Sequence, residues 1–349
     1  MLRTPGGQAP QAVQRHDEMP GVSVFQSAAR RREDLTNLRN RRRKGGRNVK
    51  TIFLVNPTAG RRDPRQTVLP PFLEYWEKRG APFEVIVTQS PGHAETLVRE
   101  LATRGEELRV FAVGGDGTFR EAASGAAGQE TISLGIIPCG SGDDFVRSFG
   151  GRECFLSPAH QFDARPRRLD LILTEFGCAA DMCAIGLDAA VAYHMVQFKR
   201  LPLVNGSMAY NLALVKCFFS KLGFEMDVTI DGKEHVSGNF VFALAGNGQY
   251  YGGGYRGAPR AVPDDGLLDF VLIRTPGRAK ILRMLGTYKR GGHLDSEVFA
   301  PYLIYRRGRK MEISSGKEAI ATCDGECVKT KQISFTVSPG AFAFLQPAL

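Results

Sequence analysis

The chain has 349 residues, of which 43% are hydrophobic and 23% charged, with a formal net charge of +10. This length is enough for about two domains, and the composition is ordinary for a globular protein. The sequence excludes a membrane-spanning helix, because no apolar run approaches the ~18 residues required, and it lacks the apolar centre of a secretory signal.

The net charge is concentrated at the N-terminus. Residues 1–48 hold eleven Lys or Arg against four Asp or Glu, a net +7, so the other 301 residues carry only +3. By charge, the body of the chain is not a nucleic-acid binder. Residues 1–48 have few apolar side chains and are predicted to be disordered, either as a basic arm for anionic lipid or nucleic acid or without a role.

A second hypothesis for this tail is that it is an upstream region called in error. Lys44-Gly45-Gly46 is what a purine-rich ribosome-binding sequence encodes in frame, and Val49 follows closely. We therefore expect the protein to begin at or near Val49. The codons for 44–46 in the genomic DNA test this directly.

Strands and helices alternate through the first half. Lys50–Val55 predicts a strand that ends in the sharp turn Asn56-Pro57-Thr58-Ala59-Gly60, and carboxyl ends of strands are where open α/β sheets bind ligands. A helix over Val68–Lys78, a strand over Phe83–Thr88 and a helix ending at Ala102 follow. The order β-α-β-α-β-α-β predicts a parallel sheet with helices on both faces.

A Gly-rich turn follows the strand Arg109–Val113. Gly114, Gly115 and Gly117 surround Asp116 and Thr118, and a helix begins at Phe119. Glycine lets the backbone approach a ligand closely, and the helix N-terminus offers unpaired N–H groups, so this turn predicts a phosphate site. A second loop, Pro138–Phe145, follows the strand Leu134–Ile137.

The second half reads as many strands with few helices, which predicts an antiparallel sandwich. The predicted strands are Leu169–Thr174, Asp181–Ile185, Glu225–Ile230, Gly238–Ala245, Leu267–Ile273, Tyr302–Tyr305, Lys310–Ser314 and Ala319–Cys323. The inserted helices are predicted over Met208–Phe219 and Arg278–Lys289, and strands in Phe335–Leu345 are expected to return to the first domain.

Acidic turns follow several of these strands. Val262–Asp269 places adjacent carboxylates and carbonyls in a tight turn, an arrangement that suits the oxygen-preferring Mg²⁺. Asp324-Gly325-Glu326 ends a β run, where an oriented carboxylate could take a proton from a substrate hydroxyl. The seven cysteines are odd in number and form no C-x-x-C pair, so we expect reduced thiols in a cytoplasmic protein.

The loop Gly114–Thr118 with Glu121 resembles the GGDGTxxE signature of the diacylglycerol kinase catalytic-domain family, which includes sphingosine and ceramide kinases. NAD kinases carry related loops. Further matches follow in register between about Val49 and Leu349, and they are the family's NPxxG at Asn56–Gly60, P-x-G-T-G-N-D-F at Pro138–Phe145, G-N-x-x-x-x-G-G-G at Gly246–Gly254, A-x-x-D-D-G-x-L-D ending at Asp269, and D-G-E at Asp324–Glu326.

The resemblance implies an N-terminal NAD-kinase-like domain with a doubly wound parallel sheet, a C-terminal antiparallel β-sandwich domain, and a cleft between them. The expected bounds are 49–165, completed by 333–349, for the nucleotide-binding domain and 166–332 for the lipid-substrate domain. It also implies that ATP is bound by Asn56, Pro57, Thr58, Ala59, Gly60, Thr88, Gly114, Gly115, Asp116, Gly117, Thr118, Glu121 and Ser141.

The same resemblance implies a magnesium ion held by the Asp265 carboxylate and the carbonyls of Val262 and Leu267. It implies a catalytic base at Glu326, assisted by Asp324, while Asp116 meets either the metal on the nucleotide or the attacking hydroxyl. Two departures from the family are Ser141 in place of Thr and Asp143 in place of Asn. The added acid would repel ATP unless a cation or Arg147 compensates for it.

The implied function is an ATP-dependent lipid kinase that converts diacylglycerol to phosphatidic acid. Sphingoid bases, ceramide and phosphatidylglycerol are the alternative acceptors. An NAD kinase, and a degenerate module that senses nucleotide or lipid, are the alternative functions. The protein would contact the inner face of the membrane peripherally, with Gly277–His293 as the docking helix, and a homodimer is left open.

Overall fold

The computed structural model describes residues 49–348 except 141, 199–200, 202–205 and 221, and it leaves out the side chains at 206, 207, 210 and 211. The predicted tail 1–48 and the predicted site residue Ser141 lie outside the described residues. The proposed boundary at 165 stays a prediction, since Val49–Leu349 forms one compact unit.

The first half is built on parallel strands, which are β1 (Lys50–Val55), β2 (Phe83–Val87), β3 (Leu108–Gly114) and β4 (Ile132–Pro138). Its helices are α1 (Pro64–Thr67), α2 (Pro70–Lys78), α3 (His93–Thr103), α4 (Asp116–Ala126), α5 (Asp144–Arg147), α6 (Arg152–Phe155) and α7 (Pro158–Phe162). Proline opens α1, α2 and α7, where its fixed φ and missing N–H are tolerated.

The second half is mostly antiparallel. Its strands are β5 (Arg165–Thr174), β6 (Gly177–Ala179), β7 (Met182–Gly186), β8 (Phe224–Ile230), β9 (Glu234–Gly246), β10 (Leu268–Arg274), β11 (Leu303–Gly308), β12 (Lys310–Cys323) and β13 (Glu326–Gln346). The helices are α8 (Leu187–Phe198), α9 (Gly206–Phe219) and α10 (Arg278–Lys289), with a 3₁₀ turn at Gly292–Asp295.

One path of hydrogen-bonded strands runs through the described chain in the order β11-β10-β9-β7-β12-β13-β4-β3-β1-β2. The long strand β13 joins the two halves. It pairs antiparallel with β12 from Glu326 and parallel with β4 near its end, where Ala343 faces Ser133.

Alternation of side chains along the strands divides the core into layers. In β1, Ile52 and Leu54 pack against one cluster with α3 and α4, whereas Phe53 and Val55 pack with Phe72 and Trp76 of α2 on the other face. A strand that is buried on both sides in this way is typical of a doubly wound sheet.

The same alternation separates two layers in the second half. Ala243 and Ala245 of β9 face the interior of the β-sandwich, while Phe242 and Leu244 face the side covered by α8 and α10. The sandwich and the mixed α/β architecture confirm the predicted fold class. None of the described helices is long and apolar enough to cross a membrane.

The sequence did not predict α8. Residues 181–198 are apolar almost throughout, so no 3.6-residue period stands out in them. In the structure β7 ends at Gly186, which has a φ of +117° and lies against the backbone of Val241 and Phe242, and α8 follows immediately. A Cβ at Gly186 would lie 2.6 Å from the Val241 oxygen, so glycine is required at this change of direction.

Candidate active site

Three loops meet at the carboxyl ends of β1, β3 and β4. The Asn56 amide N–H donates to the Val113 carbonyl at 3.0 Å, and the Cys139 N–H donates to the Gly114 carbonyl at 2.7 Å. The Asn56 side chain then donates to the Thr118 hydroxyl at 3.0 Å and accepts from Thr58. The first loop is therefore fixed to the start of α4 by side-chain hydrogen bonds.

Glycine allows these loops to approach each other through their backbones. Gly60 has a φ of +79°, and a Cβ there would lie 2.5 Å from the Cys139 oxygen. A Cβ at Gly140 would lie 2.9 Å from the Gly115 Cα. With no side chains between them, backbone N–H groups and the N-terminus of α4 face a common space, which is the arrangement of a phosphate site.

That space is one end of a continuous cleft of about 2090 Å³. All of the described residues that are predicted to bind the nucleotide line it, except Gly114, which is buried. Thr88 is placed by a hydrogen bond from its N–H to the Val55 carbonyl at 2.9 Å. Glu121 accepts a hydrogen bond from the Ala94 N–H at 3.3 Å and so also caps the first turn of α3.

We call the end of the cleft where the three loops meet the N-terminus of α4 the phosphate end. Four aspartates contribute carboxylates around it. They are Asp116, Asp144, Asp181 and Asp324, and all four line the cleft. Burial, and then the charge of Asp144, raise the pKa of Asp116 to about 6. Burial, and then the charge of Asp324, raise the pKa of Asp181 well above its ordinary value. The two pKa shifts have the same two causes. A buried carboxylate loses its hydration, and carboxylates that are brought together repel each other.

Three carboxylate oxygens in this group are buried without a hydrogen-bond partner among the described residues, and they are Asp116 Oδ1, Asp144 Oδ1 and Asp181 Oδ1. Within the described ranges, no set of three Asp, Glu, His or Cys side chains is already arranged to hold a metal ion. These three oxygens nevertheless have the hard-ligand chemistry that Mg²⁺ prefers, so they fit a cation that arrives with a nucleotide.

Glu326, the predicted catalytic base, and Asp324, which was predicted to assist it, have different surroundings. Asp324 has a φ of 46°, and its carboxylate accepts the N–H groups of Ala180 at 2.7 Å and Met182 at 2.8 Å. Burial raises the pKa of Asp324, although these amides oppose the shift. The Glu326 side chain is 71% exposed and lies 3.7 Å from the Arg120 guanidinium. Asp324 therefore holds the 180–182 backbone in place, and Glu326 faces solvent at the edge of the cleft.

Arg152, rather than Arg147, compensates for the Asp143 charge. Asp143 is 6% exposed and in the left-handed region, with a φ of 50°, and its carboxylate is hydrogen-bonded to the Arg152 guanidinium. Arg147 instead lies 3.4 Å from Asp144. Because Arg152 is nine residues further along the chain and on a separate helix, spacing alone did not indicate the pairing.

The acidic turn predicted to hold magnesium lies apart from the cleft. Both oxygens of Asp265 have donors, since Oδ1 accepts the Leu267 N–H at 3.0 Å and Oδ2 is hydrogen-bonded to Arg307. Arg307 also donates to Asp269 at 3.0 Å. The Arg307 guanidinium occupies the position expected for the magnesium ion. The residues therefore do not fit a metal here unless Arg307 is displaced. The assignment of Val262, Asp265 and Leu267 as ligands stays a prediction.

The other end of the cleft is apolar and was not indicated by any motif. It is formed by side chains from α8, α9, α10 and the neighbouring strands, and among them are Leu187, Val191, Leu214, Phe242, Ile281 and Leu285. Its rim carries exposed apolar side chains, with Val215 55%, Phe219 77% and Leu282 59% exposed. The continuous cleft therefore joins a charged phosphate end to an apolar arm that opens beside exposed hydrophobic groups.

Comparison with known proteins agrees with this arrangement. Residues 50–174 match the family model of the diacylglycerol kinase catalytic domain, and residues 181–346 match that of the YegS C-terminal NAD kinase beta sandwich-like domain. A protein of Pseudomonas aeruginosa (strain UCBPP-PA14) named "Probable lipid kinase YegS-like" is 31% identical over 282 residues, which cover 77% of this chain and 86% of that protein.

Two further relatives are more distant. A protein of Bacillus subtilis (strain 168) named "Diacylglycerol kinase" is 26% identical over 277 residues, covering 78% of this chain and 88% of that protein. The crystal structure of a diacylglycerol kinase from Bacillus anthracis str. Sterne superposes with a TM-score of 0.61 at 20% identity, over 85% of this chain and 96% of that one. At that identity the superposition supports the fold.

Proposed function

Because this chain belongs to the diacylglycerol kinase catalytic-domain family, we propose that it transfers the γ-phosphate of ATP to a hydroxyl group of a membrane lipid. The observation that carries this proposal is the continuity of the cleft, which runs from the loops around Asp116 to the apolar arm beneath α8 and α10. The resemblance favours diacylglycerol as the acceptor. Sphingoid bases, ceramide and phosphatidylglycerol remain the other candidates, since each has a hydroxyl beside long chains.

The phosphate end supports nucleotide binding by backbone groups and by cations. The N–H groups of the three loops and the N-terminus of α4 favour negative charge. Arg61, Arg62 and Arg152 also line this part of the cleft. These guanidinium groups can offset the repulsion between ATP and the aspartates, and Mg²⁺ bound to ATP would supply further charge neutralisation at the phosphates.

We assign the role of general base to Asp116. It is partly exposed to the cleft, has one oxygen without a partner among the described residues, and has its pKa raised to about 6. A base with this pKa is largely ionised at neutral pH and still basic enough to accept a hydroxyl proton. In the proposed step the lipid O–H proton passes to Asp116. The lipid oxygen bonds to the γ-phosphorus, and the bond from that phosphorus to the β,γ-bridging oxygen breaks to release ADP.

Asp324 serves this step as a positioning residue. Its two oxygens are occupied by the amides of 180–182, which keeps the Asp181 carboxylate in the cleft. The resemblance implied that Glu326 is the base and that Asp324 assists it. In this proposal neither residue removes the proton, and both act as positioning residues. The exposed Glu326 beside Arg120 is better suited to hold that guanidinium near the developing charge than to remove a proton.

The apolar arm supports binding of the lipid chains and peripheral contact with a bilayer. Phe219 at the end of α9 and Leu282 on α10 are largely exposed at its rim. Arg278, Lys280 and Arg283 lie on the same helix as Leu282, and Arg278 donates to the Ser220 carbonyl at 2.9 Å, which ties the two helices together. Apolar groups flanked by cations suit an anionic membrane surface. The proposed docking face therefore combines α10 with the end of α9.

Two alternatives are less well supported. An NAD kinase acts on a soluble dinucleotide, which gives no reason for an apolar arm with an exposed hydrophobic rim. A degenerate sensing module was suggested by Asp143 alone, and the pairing of Asp143 with Arg152 removes that argument. A homodimer stays a prediction.

The test is incubation of the purified protein with ATP labelled at the γ-phosphate, MgCl₂ and a detergent-dispersed total lipid extract. We expect label in a chloroform-soluble product that mass spectrometry identifies as a phosphorylated lipid. An Asp116→Asn variant under the same conditions is the control for contaminating kinases. Label in NADP alone, with NAD added, would establish the dinucleotide alternative and overturn the lipid proposal.

A further inference from the structure

Three polar side chains lie inside the apolar arm of the cleft. The Tyr251 hydroxyl oxygen is 2.5 Å from Asp188 Oδ2 and 3.0 Å from the Tyr288 hydroxyl oxygen. All three residues line the cleft. Asp188 belongs to the first turn of α8, Tyr288 to the last turn of α10, and Tyr251 to the connection after β9. This Asp188–Tyr251–Tyr288 trio is not part of the phosphate end, although Tyr251 lies within the motif Gly246–Gly254 and Tyr288 within the predicted docking helix Gly277–His293.

The hydrogens of this trio are already committed. A carboxylate only accepts, so the short contact with Asp188 requires Tyr251 to donate its hydrogen to Asp188. Since Tyr251 has no second hydrogen, the contact between the hydroxyls requires Tyr288 to donate to Tyr251. What remains for a ligand is the other Asp188 oxygen and the lone pairs of Tyr288. The trio therefore presents acceptors only.

Asp188 has no cationic partner in the part of the chain that the structure describes. Tyr251 is hydrogen-bonded to it, and Tyr288 contacts Tyr251. Leu187 and Val191 on the same helix are apolar, and Lys289, which also lines the cleft, lies over the Tyr255 ring. Burial raises the pKa of Asp188 to about 6. Tyr251 satisfies one oxygen of this carboxylate, and without a cation the remaining charge in apolar surroundings is destabilising unless a second donor joins it.

The loop that carries Tyr251 begins close to the phosphate end. Gly253, two residues after Tyr251, donates its N–H to Asp144 Oδ2 at 2.7 Å. Two residues of chain span at most about 7 Å, so the Tyr251 backbone lies near this contact. The same loop therefore lines both the phosphate end and the apolar arm that holds the trio.

Resting on the proposed function, we infer that the trio recognises a second hydrogen-bond donor of the lipid, a hydroxyl or ammonium group, besides the hydroxyl that receives the phosphate. Ester carbonyls only accept hydrogen bonds, so they gain nothing from this subsite and would leave the second Asp188 oxygen without a donor. The acceptor class is therefore a lipid with at least two donors, such as a sphingoid base, a ceramide or a glycerol headgroup, rather than diacylglycerol.

The experiment compares ceramide with diacylglycerol of matched chain length in the same detergent micelles, using the full chain. We expect kcat/KM to favour ceramide in the wild type. Asp188→Asn should reduce that preference roughly tenfold or more, the usual effect of losing a hydrogen bond to a charged group. Tyr251→Phe frees the Tyr288 hydrogen to donate and should shift the ratio towards diacylglycerol, even if Asp188→Asn does not fold. Tyr75→Phe, on α2 and outside the cleft, is the matched control.

A ratio that stays unchanged in both folded variants, or equal losses for both lipids, would overturn the inference and leave the trio a structural link between α8 and α10. Failure of the proposed function gives a different result, since the wild type then phosphorylates neither lipid. In that case the change in Tm on adding each lipid tests the subsite. A stabilisation by ceramide that Asp188→Asn abolishes supports the subsite, and equal shifts with both lipids refute it.

Discussion

Replacing Asp116 by Asn is expected to remove most of the activity and at the same time to stabilise the fold. The carboxylate is partly buried beside Asp144 and Asp181, and its pKa rises from 3.8 to about 6. Asn keeps the shape of the side chain and an acceptor for the Asp144 N–H, which lies 3.4 Å from Asp116 Oδ2. It removes the charge that repels the neighbouring carboxylates and the base that accepts the proton.

The stability effect can be worked out from the pKa shift. The folded chain binds this proton more tightly than the unfolded chain does, so the free energy of unfolding falls as the pH rises from about 4 to about 6. A shift of about two units corresponds to about 3 kcal/mol of destabilisation, which is fully present above pH ~7 and absent near pH ~4. At about 2 °C per kcal/mol for a chain of this size, Asp116→Asn should raise Tm by about 6 °C at pH 8.

The assay is thermal unfolding at pH 8 and pH 4, together with γ-phosphate transfer to dispersed lipid at pH 8. The rate constant should fall by about 10²–10⁴, the usual contribution of a general base. Asp227→Asn is the matched control, since Asp227 is an exposed aspartate on β8 outside the cleft. An unchanged or lower Tm at pH 8 would refute the electrostatic argument, and a near-normal rate in the folded variant would refute the assignment of the base.

Three other perturbations test separate parts of the structure. Arg152→Gln should lower the free energy of unfolding by about 1–3 kcal/mol, because it leaves the buried Asp143 charge unpaired, although Arg152 itself is partly exposed. In a urea titration, adding Asp143→Asn should recover most of this loss. Arg307→Gln should make Tm depend on magnesium, because Asp265 and Asp269 lose their guanidinium partner. The wild type should unfold at the same temperature with EDTA or MgCl₂. A magnesium-dependent Tm of the wild type would instead favour the metal assignment. Phe219→Ser with Leu282→Ser should weaken sedimentation with anionic vesicles by roughly tenfold or more while sparing ATP binding, and unchanged sedimentation would show that this rim is not the docking face.

The outcome for α8 shows where local pattern stopped being informative. The strand β8 was predicted because its residues alternate between a buried and a more exposed face. Leu187–Phe198 packs partly against the sheet and partly against the cleft, so apolar side chains occur on most of its surface. A helix of that kind has no clear period in sequence, and only its packing against β7 and β9 distinguishes it from a strand.

The sequence by itself determined the phosphate loops and the strands, because both depend on neighbours in the chain. A glycine turn between strand and helix, as at Gly114–Thr118, has its geometry set by the residue types alone. The tertiary structure decided the chemistry of the site, because charges act through space. Positions as far apart as Asp116 and Asp324 meet only when β13 brings the two halves together. The partner of Asp143, the occupation of Asp265 by Arg307 and the trio around Tyr251 have the same origin, since each joins side chains from separate elements whose distance the sequence does not encode locally.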